Sequence, residues 1–268
     1  MGALLEEARA ALSAVHDPEL DEPITDLGFV RSLERRAGAD GAVELVCHLR
    51  LPTSFCSPNF AYLMASDAKD ALTALPGVDQ VVVELDDHHD SGLINAGLAA
   101  DAGYRGTFGH EALDSLDELR ELFRRKAHTA AAERVLTRWL RAHPERTETD
   151  VVDVVLGDLP ADGATAALLR RRGALGLPAG AGAHVLVDER GARPAREEVP
   201  LRLRRARSTR ISIDGNAHFC RGLLRTRYPG SDGDQAPRAA EATWEPVPLL
   251  AGRPEGARPV HQRTEVSA

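Results

Sequence analysis

The run Val43-Glu-Leu-Val-Cys-His-Leu-Arg-Leu51 constrains this chain more than any other stretch. Apolar and polar residues alternate with a period of two, so it reads as a β-strand. Pro52 ends it, because proline has no backbone N–H to give to a ladder. Pro58 then opens a run that reads as helix to about Leu75, and proline suits a first helical turn. Thr53 and Cys56 lie in the turn between the two prolines. A cysteine just before a helix N-terminus lies beside free N–H groups and the positive end of the helix dipole, and both stabilise a thiolate. A turn cysteine can equally be an inert packing residue.

The flanking segments give this strand and helix a setting. Leu4, Leu5, Ala8, Ala11, Leu12 and Val15 recur at helical spacing, and Asp17-Pro18 breaks the helix. The stretch from Asp17 to Val30 is acidic, with two prolines and a glycine, and reads as an ordered loop. Phe29 to Arg35 alternates like a strand and joins Val43 to Leu51 through the turn 37–41, which is a hairpin signal. After the helix, Pro76-Gly77 stops the chain and Val78 to Leu85 is a third strand. Residues 1–87 therefore read as a small two-layer α-β-β-α-β domain of the α+β class.

In order and spacing, these residues resemble the MIP18 family (DUF59, PaaD/SufT-like) of iron–sulfur cluster assembly factors. The matching pieces are Asp17-Pro18-Glu19, Ile24, Asp26-Leu27-Gly28 and Val30, then Thr53 and Cys56, then Leu75-Pro76-Gly77-Val78. The resemblance covers about a third of the chain. It implies work on iron–sulfur clusters or related metal centres, with Cys56 as the functional thiol beside Thr53. It also implies a structural or partner-facing role for Asp17, Glu19 and Asp26. The chain departs from the family pattern where Ser57 separates Cys56 from the next proline. It departs again where Asp86-Asp87-His88-His89-Asp90 replaces a Trp-Pro tail.

Cys56 has two chemical readings besides packing. It can bind iron, a cluster edge or zinc as a soft thiolate, or act as a sulfur nucleophile. One cysteine cannot hold a cluster alone, so a cluster would be shared across a homodimer, completed by other ligands, or held by a client. Asp87, His88 and His89 follow the third strand and are candidate metal ligands beside Cys56. The same triplet resembles the signature of DHH phosphoesterases. A solvated polar loop is the plain alternative.

Residues 88–109 read as a glycine-rich linker with at most a short helix. Residues 110–228 read as a mainly helical extension with short strands. His110 to about His143 is a long helix, and Thr147 to Asp150 is a helix start before Val151 to Leu156. Ala164 to Leu175 is another helix and His184 to Val187 a short strand. Arg193 to Arg210 holds seven arginines and reads as a charged edge strand through Leu201 and Leu203. Ser208 to Ile213 alternates again. Asn216 to Arg227 is a short helix whose His218 and Cys220 are a weak metal pair. Residues 229–268 are proline-rich and read as a disordered tail.

Composition bounds the function. The net charge of −8 argues against a dedicated nucleic-acid binder. Three widely spaced cysteines, Cys47, Cys56 and Cys220, fit a reducing cytoplasm rather than a disulfide framework. The N-terminus turns acidic at once, unlike a secretory signal, and no apolar run approaches a membrane span. The sequence thus points to an accessory factor that matures an iron–sulfur or other metal centre, holding iron or a cluster transiently. Its partners would be a client apo-metalloenzyme, such as a multicomponent oxygenase, and cluster-assembly scaffold proteins. The rivals are a metal-dependent phosphoesterase using Asp87-His88-His89 and a non-catalytic adaptor.

Overall fold

Strand β2, Val43–Arg50, is the middle of a three-stranded sheet in a computed structural model that describes residues 2–38, 41–109, 116–188 and 190–236. Strand β1, Val30–Ala37, pairs with it antiparallel, with Leu33 opposite Cys47 and an irregularity between Val30 and Ser32. Strand β3, Gln80–Asp86, lies parallel on the other side, with Cys47 opposite Val83 and Arg50 opposite Asp86. A parallel neighbour needs a crossover, and helix α2, Pro58–Thr73, supplies it. Pro58 occupies its first turn, and Gly77 just beyond it has a φ of 76°.

Helix α1, Gly2–Leu12, packs with α2 on the sheet. Leu12, Phe29, Leu45, Cys47, Leu49, Ala65 and Leu72 are fully buried between them. Emptying one such position, as in Leu72→Ala, costs ~2–5 kcal/mol. The α-β-β-α-β order expected from the sequence is the order observed.

The glycine-rich stretch after β3 is more regular than a loop. It forms helices α3, Ser91–Ala99, and α4, Gly103–Phe108. Ile94 and Leu98 reach the main core. Gly97 permits the pairing, because a Cβ there would lie 2.1 Å from Thr107 Oγ1. Asn95 borders the free edge of β3: its Oδ1 accepts from Leu85 N–H at 2.8 Å and its Nδ2 donates to Leu85 O at 3.2 Å. A side-chain amide thus stands in for a fourth strand at that point.

The extension contributes α5, Leu116–Ala142, α6, Gly163–Ala174, and α7, Val199–Arg227. Its own core gathers Val135, Leu136, Val151, Leu168, Val185 and Leu203. The helix start at Thr147 is real, but it opens two 3-10 turns, Glu148–Asp153 and Leu156–Asp158, in place of an α-helix. The strand expected at 184–187 reduces to one bridge, Val155 to His184.

The larger correction concerns residues 199–227. The expected edge strand, the second alternating stretch and the short helix are one helix of 29 residues. Leu201 and Leu203 are two apart, but only Leu203 is buried; Leu201 is exposed. The inward face runs Val199, Leu203, Ala206 and then Ala217 and Leu224, at helical spacing. Arginine is a good helix former. Arg202–Glu198 and Arg210–Asp214 add i,i+4 ion pairs.

Residues through Ala236 form one compact unit. Of the segment read as a tail, residues 229–236 are ordered, with a 3-10 turn at Ser231–Asp234. Residues 237–268, the rest of that expectation, lie outside the described residues.

Candidate functional site

The turn between β2 and α2 presents Cys56 half-buried at the rim of the core. Thr53 shapes it. Phe55 N–H donates to Thr53 Oγ1 at 3.2 Å, and Oγ1 lies 3.4 Å from Cys56 Sγ. With its oxygen accepting from Phe55, the Thr53 hydroxyl has its own proton free for the sulfur. Cys56 comes just before Ser57, the N-cap of α2, whose carbonyl already accepts the N–H groups of Phe60 and Ala61. The thiol therefore stands at the entry to the helix, one residue outside its cap.

The loop after β3 braces this turn. Because β2 and β3 are parallel neighbours, their C-terminal ends emerge side by side. His89 N–H donates to Ser54 O at 2.9 Å. His88 is buried and lies with its Nε2 2.8 Å from Cys56 O. A carbonyl only accepts, so Nε2 carries the proton; Nδ1 then accepts from Asp90 N–H at 3.1 Å. Both ring nitrogens of His88 are occupied. His89 points outward, with its ring 5.8 Å from that of Phe55. Asp87 has a φ of 52° and accepts from Tyr228 OH at 3.0 Å. The structure thus brings Asp87, His88 and His89 against the Cys56 turn. Among the described residues, no group of three or more His, Cys, Asp or Glu side chains is placed to hold a metal ion.

Helix α7 closes the other flank, a feature with no local sequence signal. The Arg227 guanidinium donates to Leu51 O at 3.1 Å, to Ser54 Oγ at 2.8 Å and to Asp87 O. One side chain thus ties the β2–α2 turn to the β3–α3 loop. Farther up α7, Arg221 pairs with Glu22 and donates to Asp26 O at 2.7 Å, while Asn216 donates to Glu19. Arg50 pairs with Asp234 in the turn after α7 at 2.5 Å. Gly28 allows this approach: it has a φ of 77°, and a Cβ there would lie 3.0 Å from Gln235 and 3.2 Å from Leu224.

The acidic loop therefore faces the chain's own extension. Asp17 is buried, with Oδ1 accepting from the N–H groups of Glu19 and Leu20, both at 2.8 Å. Burial pushes its carboxyl up to about 6, against the pull of those two bonds. Asp21 pairs with Arg171 of α6.

The three thiols differ sharply. Cys47 is fully buried in β2, and burial pushes it up to about 12. Burial also pushes Cys220 on α7 up to about 12, reinforced by Asp17, Cys56 and Glu19 nearby. Cys220 thus faces the acidic loop and the Cys56 turn, whereas His218 is exposed on another side of the helix. Cys56 alone lies in a loop, next to the exposed side chain of Phe55, which is 81% accessible.

A family model described as iron–sulfur cluster assembly protein matches residues 5–85. No curated protein and no solved structure matches the chain. The family match spans α1 through β3 and includes the Cys56 turn, while α3 to α7 lie outside it. Residues 5–85 of this chain thus match the iron–sulfur cluster assembly protein family, of the MIP18 type.

Proposed function

We propose that the chain matures an iron–sulfur cluster or related metal centre in a client enzyme, with Cys56 as the thiol that carries or hands on the cargo. The family domain ties the chain to iron–sulfur assembly. The observation that carries the finer reading is the contrast among the thiols. Cys47 and Cys220 are held protonated by burial, while Cys56 stands on a turn braced from both flanks.

A single thiolate suits transfer. Cys56 Sγ loses its proton as it binds iron, and regains one when the client's own ligands displace it. This is ligand exchange and needs no oxidant or reductant. The Thr53 hydroxyl is placed to hydrogen-bond the sulfur in the free state. Because α6 and α7 engage Glu19, Asp21, Glu22 and the Asp26 carbonyl, the side toward Phe55 and His89 is the one offered to a client. An exposed phenyl ring gives that client an apolar foothold. Three free thiols support a cytoplasmic setting. No helix among the described residues is long and apolar enough to cross a membrane.

Nothing in the geometry favours the phosphoesterase reading of Asp87-His88-His89, since both nitrogens of His88 already hold backbone groups. The test is anaerobic iron and sulfide analysis of the wild type and Cys56→Ser, with capture of bound proteins. The wild type should retain iron and capture an apo-metalloenzyme, and Cys56→Ser should lose the iron. Equal iron in both proteins, with full client activation by Cys56→Ser, contradicts the proposal.

A further inference from the structure

A cavity of about 630 Å³ opens in the extension, between α5, α7 and the segment after α6. It lies outside the family domain and plays no part in the Cys56 site. Its volume is in the range that small-molecule sites use. Leu177, Leu186, Leu203 and Ala132 give it an apolar lining, and the exposed Leu201 lies at its edge.

Four carboxylates and four arginines line it. Its four carboxylates are all engaged. Glu133 is buried and held by Arg207 and Arg210. Glu121 pairs with Arg125, and Glu198 with Arg202 at 3.1 Å. Asp188 accepts the backbone N–H groups of Arg190 and Ala192 on Oδ1, at 2.9 and 2.8 Å, and is attracted to the Arg202 and Arg190 side chains without an ion-pair contact. Arg190 and Arg205 also line the cavity. Neither guanidinium has a hydrogen-bond or ion-pair partner among the described residues.

His128 of α5 also borders the cavity; it is 7% exposed, and its Nε2 is closed to solvent with no hydrogen-bond partner among the described residues. Burial pushes this imidazole down to about 4, helped by Arg172 and Arg171, so it is neutral at pH 7. Among the described residues, the guanidiniums lining the cavity without an ion-pair partner are thus those of Arg190 and Arg205.

We propose that this cavity is a binding site for an amphipathic organic anion. Its apolar body would lie along Leu177, Leu186 and Leu203, and its carboxylate or phosphate head on Arg190 and Arg205. A cationic ligand of the same shape meets two unpaired guanidiniums and is rejected.

The test is calorimetric titration of the full chain with octanoate, octyl phosphate and octylamine. The expected result is saturable binding of at least one anion, at least tenfold tighter than octylamine. Which anion binds tighter identifies the head group. Arg190→Gln with Arg205→Gln should weaken that binding at least fivefold while the melting temperature stays at the wild-type value. The His128 imidazole resonances should shift on titration. No saturable binding of either anion, equal affinity for octylamine, or an unchanged affinity in a folded double variant overturns the proposal. If the double variant does not fold, the comparison with octylamine decides it alone.

Discussion

The Nε2–H of His88 donates to the backbone carbonyl of Cys56 across 2.8 Å, so a buried imidazole holds the Cys56 turn by its main chain. His88→Ala leaves that carbonyl and Asp90 N–H without their partner. It should cost ~1–3 kcal/mol in a urea melt. His88→Gln keeps an amide N–H where Nε2 stood and should recover most of that loss. Iron retention should follow stability in both variants. If His88→Gln is as stable as the wild type yet loses all iron, His88 is a ligand and not a brace.

Arg227 holds three acceptors from two loops. Arg227→Ala should lower stability by ~1–3 kcal/mol, because partly buried acceptors lose a charged donor. The effect should be local to the site. Hydrogen exchange should quicken in residues 51–57 and 87–90 while β2 stays protected. Unchanged exchange there would mean that α7 rests on the turn without restraining it.

The Thr53 hydroxyl acts on the sulfur and on Phe55 N–H. Thr53→Val is nearly isosteric and removes both contacts. Alkylation of Cys56 by iodoacetamide at pH 7 should slow about threefold or more, on the order of the ~1 kcal/mol a single hydrogen bond contributes. Thr53→Ser should keep the wild-type rate. Equal rates in all three proteins would show that the hydroxyl serves only the turn.

The Cys56 turn was readable because its signals are local. The period-two run, Pro52 and Pro58 fix a strand, a turn and a helix start within sixteen residues. The hairpin and third strand were readable for the same reason. The extension was less legible. Leu201 and Leu203 imitate a strand, and the helical face of α7 is completed by buried charge: Arg221 is only 9% exposed and finds Glu22 199 residues away. The clamp from Arg227 to Ser54 spans 173 residues and leaves no local trace. His218 and Cys220 looked like a pair, yet residues two apart on a helix face different ways. His88 and His89 looked equivalent, and the turn after β3 sends one inward and one out.

Asp17 and His128 make opposed demands on pH. Burial raises the Asp17 carboxyl from 3.8 to about 6, so the folded state holds that proton more tightly than the unfolded chain. Its contribution falls as pH rises from about 4 to about 6 and stays low above that. His128 is lowered from 6.5 to about 4, so the unfolded chain binds more protons in that window. Its contribution rises from about pH 4 to about pH 6.5. The two slopes offset each other in the wild type. Asp17→Asn keeps an oxygen for the N–H groups of Glu19 and Leu20 and removes the charge. It should gain ~1–3 kcal/mol at pH 7.5 and show a steeper rise between pH 4 and 6.5. His128→Leu should show the opposite slope. Urea melts at pH 4.5, 5.5, 6.5 and 7.5 measure both, and parallel curves for all three proteins would contradict the assignments.

The most direct test of the account is transfer of labelled iron from the anaerobically loaded chain to an apo iron–sulfur acceptor, measured for the wild type, Cys56→Ser and Cys220→Ser. The account predicts rapid transfer by the wild type, loss of at least nine-tenths of the rate in Cys56→Ser, and a near-wild-type rate in Cys220→Ser. A Cys56→Ser protein that delivers iron as fast as the wild type would contradict it.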